Sequence, residues 1–285
     1  FMGMTESPVL IKNYLPTMNR SEIFLVMVSG MGTIAGSVMG TYIGMLGGTD
    51  PASKVLFATH LLSASVMAVP GSIVLAKMLC PQTEEATDHV AVSGKEKENS
   101  NILDAISSGT VTGVKLMTNI AAMLLVFISL VALANYVTED VIGRYTGLND
   151  WIVQISDGKA KGLTFQFILG VITAPFMWLI GVPGQDIMLV GSLLGQKTIL
   201  NEFVAYFQLQ QWKDAGLFMY EKSILMSTYI LCGFANISSI GILLGGLGVL
   251  APEKRGLISR IGVPAMIGGA LVSVLSATII GMILG

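Results

Sequence analysis

The chain holds 285 residues, 53% of them hydrophobic and only 12% charged, with a formal net charge of −2. A water-soluble domain carries about 25% charged residues, so the balance excludes an ordinary soluble protein, and no basic cluster interleaved with aromatics points to nucleic acid as a partner. Uncharged runs at Leu116–Thr138, Gly162–Gln185, Ser223–Pro252 and Ile261–Gly285 reach the roughly 20 residues that cross a bilayer as a helix. The class is therefore an all-α polytopic membrane protein; a β-barrel would show short alternating segments instead.

In chain order, the opening FMGMTESP follows no signal peptide or first span, which predicts a piece whose N-terminal part lies upstream. GMTESP, followed by VLIKNYL, reads as the second half of a re-entrant hairpin. Spans are expected at Ile23–Met45 and Val55–Leu79. The polar, charge-rich stretch from Cys80 to Asn101 reads as a solvated loop. Asn101–Lys115 is weakly amphipathic and interfacial, and Leu116–Val137 is a further span. Thr164–Val182 is long enough to cross but could also lie along a surface. Ile187–Gln196 and Ile199–Gln211 are too short to cross and suit a hairpin whose tip is buried in protein, where irregular backbone at membrane depth is tolerated. Spans at Ser223–Leu250 and Ile261–Leu284 close the chain.

An internal repeat runs through this order. VSGMGTIAGS (28–37) matches LCGFANISSI (231–240), pairing Gly30 with Gly233, Thr33 with Asn236, Ile34 with Ile237 and Gly36 with Ser239. Each follows a polar hairpin tip, and paired interrupted segments point to a transporter site near the bilayer midplane. The expected units are 1–80 (half of hairpin 1 and two spans), 81–162 (loop, interfacial helix and a scaffold span) and 163–285 (hairpin 2 and two spans). With hairpins returning to the side they left and Thr164–Val182 not changing side, Lys12, Arg20, Lys77, Lys95, Lys97, Lys115, Lys254, Arg255 and Arg260 share one face. Lys54, Arg144, Lys159, Lys161, Lys213 and Lys222 share the other. The larger set marks the cytoplasmic side, so the two hairpins open to opposite sides, as in an inverted repeat.

Glu202 carries the sharpest functional signal. A carboxylate at a helix centre in the membrane costs roughly 2.5–3.5 kcal/mol or more and persists where it has a partner, a cavity or a task. It reads either as an ion pair with Lys197, at an offset poor for a helix, or as an acceptor for a polar substrate or a proton. Asn236 needs partners in a dry interior. With Ser239, which lies on the same face if the segment is helical, it would offer donors beside the Glu202 carboxylate, a set suited to vicinal hydroxyls. Ser239 alone could equally bond its own i−4 carbonyl. The Gly-rich stretch GILLGGLGVL (241–250) reads as close helix packing, as do Phe203, Tyr206 and Phe207. Cys80 and Cys232, the two cysteines, read as buried thiols. No metal or hydrolase motif is present.

GMTESP, GQKTILNEFVAY (195–206) and CGFANISSIGILLGGLG (232–248) resemble the signature segments of the concentrative nucleoside transporters, and the resemblance covers essentially the whole chain. It implies an inverted-repeat transporter with two re-entrant hairpins and broken helices, lacking here roughly the first three spans and half of hairpin 1. It implies base contacts from Gly3, Met4, Thr5, Glu6 and Val38, and ribose contacts from Glu202, Asn236 and Ser239. A sodium site is implied at the Met2 backbone oxygen with Thr33 and Ile34. Met4 stands where many members carry glutamine, which leaves base preference open, and some relatives couple to protons. The expected function is cation-coupled nucleoside symport with sodium or a proton as coupling ion and no other cofactor. A homotrimer meeting at Leu116–Val137, with lipid around it in a bacterial inner membrane, is expected. An uncoupled receptor or channel, or an intramembrane enzyme, is the alternative.

Overall fold

The computed structural model describes every residue except 1, 5, 85–100, 105, 108–109, 112–113, 115–117, 119–124, 126–128, 131 and 157–159. Most of the expected solvated loop, parts of the interfacial segment and of the Leu116–Val137 span, and Thr5 therefore lie outside the described residues. Among the described residues all regular structure is helical: α1 (Ser7–Leu10), α2 (Arg20–Gly32), α3 (Gly36–Gly47), α4 (Pro51–Leu79), α5 (Leu148–Ile155), α6 (Phe165–Leu179), α7 (Ile187–Ile199), α8 (Glu202–Asp214), α9 (Glu221–Leu231), α10 (Ile237–Leu250) and α11 (Arg255–Ile283). Two compact units result, one of residues 1–90 and 166–285, the other of 91–165.

In the larger unit, two stretches read from sequence as single spans are each split. Ile23–Met45 falls into α2 and α3, of 13 and 12 residues, separated by extended backbone at Thr33 and Ala35. Ser223–Leu250 falls into α9 and α10, of 11 and 14 residues, separated by Cys232–Asn236. Each half is about 16–21 Å long, short of the ~30 Å hydrocarbon core. The pieces are half-helices whose unpaired ends meet inside the protein. By contrast α4 and α11 run unbroken for 29 residues, roughly 43 Å, and interior Pro70 and Pro264 do not end them.

α11 packs against α2, α4, α9 and α10, and glycine makes that possible where the breaks meet. A Cβ on Gly233 would stand 2.8 Å from Ser273 Oγ and 2.9 Å from the Met31 carbonyl oxygen, and one on Gly269 would stand 2.8 Å from Met31 Cβ. The second break therefore lies directly on the end of α2.

α7 and α8 form the expected hairpin, joined only by Leu200 and Asn201. Asn201 ends the turn by accepting from the Val204 amide at 2.9 Å as the N-cap of α8. α6 lies along α7, with Gly191 against Thr173 and Gly195 against Leu169. At 15 residues it measures about 22 Å. At one end of this unit Lys77 Nζ donates to Ser21 Oγ (3.0 Å) and Lys254 Nζ to the Met18 carbonyl (2.8 Å), which gathers residues assigned above to one face. Near the opposite end of α4, Lys54 packs on Gly47 and Lys213 lies 5.7 Å from the Phe57 ring.

Two packing expectations are corrected. Cys80 is only half-buried because it caps the end of α4, whereas Cys232 is buried. Gly241 and Gly245 face open space within the chain; Leu243 and Leu247 do the packing on that helix.

In the smaller unit, a π-helical turn at Tyr136–Gly143 precedes α5. Asn149 organises it, donating from Nδ2 to the Glu139 carbonyl and accepting the Leu163 amide on Oδ1, both at 2.9 Å. Its side chain occupies the space a Cβ would need at Gly143 and Gly162.

Candidate functional site

The first turn of α8 carries Glu202, and the two-residue hairpin tip aims it back into the protein, 7% exposed. Its two oxygens meet groups from both broken helices. Tyr42 on α3 donates its hydroxyl to Oε1 at 3.2 Å, and Asn236 donates Nδ2 to Oε2 at 3.0 Å. Asn236 and Ser239 are 2% and 1% exposed. The condition for a shared helix face with Ser239 is not met at Asn236. Its backbone is extended, and it is the N-cap of α10, with Oδ1 accepting the Ser239 amide (2.8 Å), Ser239 Oγ (3.0 Å) and Ser238 Oγ (2.6 Å). Capping explains why asparagine stands there: one end of the amide starts the helix while the other faces the carboxylate. Ser239 correspondingly bonds Asn236 rather than its own i−4 carbonyl.

Tyr42 was not singled out from sequence. Its ring stacks on Tyr206 with centroids 4.1 Å apart, and Tyr206 donates to the Thr228 carbonyl at 2.8 Å. Phe203 packs beside Tyr42 at 6.3 Å between centroids, while Phe207 is exposed. The available signal was a tyrosine within an apolar run, whose hydroxyl needs a partner once buried.

The Lys197 ion pair weighed for Glu202 is not formed. Lys197 Nζ donates to the Ile230 carbonyl at 2.8 Å and to Ser273 Oγ at 3.0 Å.

A carboxylate offers about four lone-pair positions, so Tyr42 and Asn236 leave capacity for two further O–H donors. Asn236 Nδ2 keeps a second N–H, and the Ser239 hydroxyl can turn from Asn236 to another acceptor. A vicinal diol, which donates twice and accepts twice, matches that inventory.

The remaining predicted residues are placed less uniformly. Met4 is buried, with its Cβ against Gly30 of α2. Gly3 accepts the Glu6 and Ser7 amides, and the Glu6 carboxylate folds over the space where Gly3 lacks a side chain. Glu6 itself is exposed, and nothing joins it to Glu202. α1 packs against α10, and Val38 packs on the cluster that holds Ile34, Tyr42 and Tyr206. Thr33 Oγ1 donates to the Ser29 carbonyl at 3.3 Å, Ile34 is buried, and Met2 is 47% exposed. The last carbonyls of α2 lack the intrahelical partners of its interior, and the Ser29 carbonyl takes the Thr33 hydroxyl instead, so hard oxygens gather at that helix end. When the half-helix starts are matched, Ala35 stands where Asn236 stands in the other repeat, two positions after the expected partner Thr33.

The family model for the C-terminus of Na+-dependent nucleoside transporters matches residues 60–281. The chain belongs to that family. Nucleoside permease NupC of Helicobacter pylori is 37% identical over all of this chain and 63% of its own length. Sodium/nucleoside cotransporter 1 of Rattus norvegicus is 38% identical over 99% of this chain and 42% of its own. A structure of CNTnw in an inward-facing substrate-bound state superposes with a TM-score of 0.82 at 35% identity, covering this chain entirely and 62% of that one. The chain thus spans under two thirds of the length of the relatives it matches. It shares their all-helical membrane fold, and the family is one of transporters rather than enzymes.

Proposed function

We propose that this chain supplies the substrate and cation sites of a cation-coupled nucleoside symporter working by alternating access. The observation that carries the reading is the buried Tyr42–Glu202–Asn236–Ser239 network, which joins a hairpin tip to both broken helices. Glu202, Asn236 and Ser239 take the ribose hydroxyls. Gly3, Met4, Glu6 and Val38 take the base, together with Thr5, which is assigned on the family resemblance, and the apolar Met4 side chain favours stacking or dispersion over a paired hydrogen bond. Sodium, the coupling ion named for the mammalian relatives, would sit between the Met2 carbonyl, Thr33 and Ile34 and supply positive charge at the end of α2. A substrate and cation that stabilise the same arrangement of hairpins and breaks are coupled by linkage.

The sequence-level division at 1–80, 81–162 and 163–285 places the two hairpin-bearing repeats in a transport domain and the middle segment in a scaffold. The assembly is a homotrimer through Leu116–Val137, surrounded by lipid in a bacterial inner membrane. The test is radiolabelled uridine uptake by the full-length protein in proteoliposomes under separately imposed sodium and proton gradients. Accumulation driven by one gradient is expected; equilibration without accumulation under both would favour an uncoupled channel or receptor.

A further inference from the structure

Lys197 is the one fully buried lysine among the described residues, and the ribose network does not use it. It sits in the last turn of α7, and its ammonium reaches the C-terminal end of α9. There it donates to the Ile230 carbonyl at 2.8 Å and to Ser273 Oγ at 3.0 Å, while Ser273 donates to the Cys232 carbonyl at 3.1 Å. Ile230 belongs to the last turn of α9 and Cys232 opens the break. The ammonium is thus surrounded by oxygens at a helix C-terminus, where aligned peptide dipoles sum to roughly half a negative charge.

The other half-helix ends beside it. Gly233, one residue past Cys232, lies against the Met31 carbonyl and the Gly32 backbone at the end of α2. Two negative dipole ends therefore converge in a low-dielectric interior, where their repulsion is poorly screened. A buried ammonium is itself costly, and a methionine of similar length would fill the space without charge.

We infer that Lys197 is a tethered cation: in the second repeat its ammonium neutralises the C-terminal end of the broken helix's first half, as the coupling cation does in the first, but at Ile230 and Cys232, four to six residues before the match of Thr33. This rests on the cation site proposed at Thr33 and Ile34. The chemistry matches on both sides, oxygen from a helix C-terminus plus one hydroxyl, supplied by Thr33 at one break and Ser273 at the other. Lys197 is then a positioning residue for transport. It fixes the break so that Asn236 meets Glu202, and it keeps that half of the site charged without an exchangeable ion.

The test uses the full-length protein in nanodiscs and measures uridine affinity against sodium at constant ionic strength for wild type, K197R and K197M. K197M should add one order in sodium to whatever dependence the wild type has, with affinity lowered at least about ten-fold at low sodium and restored at high sodium. K197R should keep the wild-type order. Unchanged order in K197M, a loss that sodium does not restore, or an added order in K197R as well would each overturn the inference. Should K197M assemble only in high sodium, that supports it; failure to assemble at any sodium concentration makes Lys197 a structural pin and sinks it. The wild-type response to cations tests the coupling reading separately, since the inference is judged on the difference between variant and wild type.

Discussion

Asn236 Nδ2 donates to Glu202 Oε2 at 3.0 Å, and that bond ties the tip of a re-entrant hairpin to the break in the helix that follows it. Each residue is placed by its own element: Glu202 is delivered by a two-residue turn, and Asn236 by its own capping of α10. Movement of the hairpin relative to the break must stretch this bond, so a substrate that bridges the same atoms reports on both.

Replacing Glu202 by glutamine should leave assembly intact, because the amide can accept from Asn236 and donate to the Tyr42 hydroxyl. It removes acceptor capacity and charge where ribose hydroxyls are proposed to bind. Hydrogen bonds to charged groups contribute about 1.5–3 kcal/mol, so uridine affinity should fall roughly ten- to hundred-fold. Uptake assays alongside a gel-filtration profile check both halves, and wild-type transport by E202Q would remove Glu202 from the site.

Tyr42→Phe separates packing from hydrogen bonding. The ring keeps its 4.1 Å stack on Tyr206, while the donor to Oε1 is lost. Affinity should drop by roughly ten-fold, for about 1–2 kcal/mol, with the melting temperature nearly unchanged. A lowered melting temperature with normal affinity would assign Tyr42 to the scaffold alone.

Gly233→Ala should destabilise the unit without touching the Tyr42–Glu202–Asn236 network. Its Cβ would press on a backbone oxygen, Met31 O at 2.9 Å, which cannot move aside as a flexible side chain could. Overpacking of this kind costs ~1–3 kcal/mol. Thermal unfolding in detergent measures it, and a variant as stable as wild type would mean that the two breaks separate easily.

Asp50 gives a pH signature outside the spans. It caps α4, accepting the Ser53 hydroxyl at 2.7 Å and the Ser53 amide at 2.8 Å, and the hydroxyl foremost holds its carboxyl below the usual carboxylate range. A depressed folded-state pKa means this contribution is complete above the unfolded value, near 3.9, and disappears as pH falls through the folded one. D50N should flatten that acid limb of a melting-temperature profile; an identical limb in D50N would leave the cap without effect on stability.

Much of this site was legible because the membrane makes polar residues conspicuous. Glu202 stood out as a carboxylate between apolar runs too short to cross, and the small and polar residues of 28–37 and 231–240 marked both breaks. What escaped were the partners. Tyr42 lies 160 residues from Glu202 in sequence, and nothing local in TYIGM announces the contact. Asn236 was placed on a face with Ser239 only on the condition that the segment is helical, because capping depends on where a helix starts, which a continuous apolar pattern hides. Lys197 was weighed against the nearest carboxylate in sequence, but its acceptors lie on α9 and α11.

Sequence alone determined the membrane class, the second hairpin and the repeat, and singled out Glu202, Asn236 and Ser239, the set proposed to hold ribose. Lipid offers no hydrogen bonds to backbone or side chain, so every interruption of an apolar run must have a cause. Tertiary structure alone decided which atoms satisfy those polar groups. That choice follows from how closely α11 and the two breaks approach at Gly233 and Gly269, a separation set by packing between elements far apart in the chain.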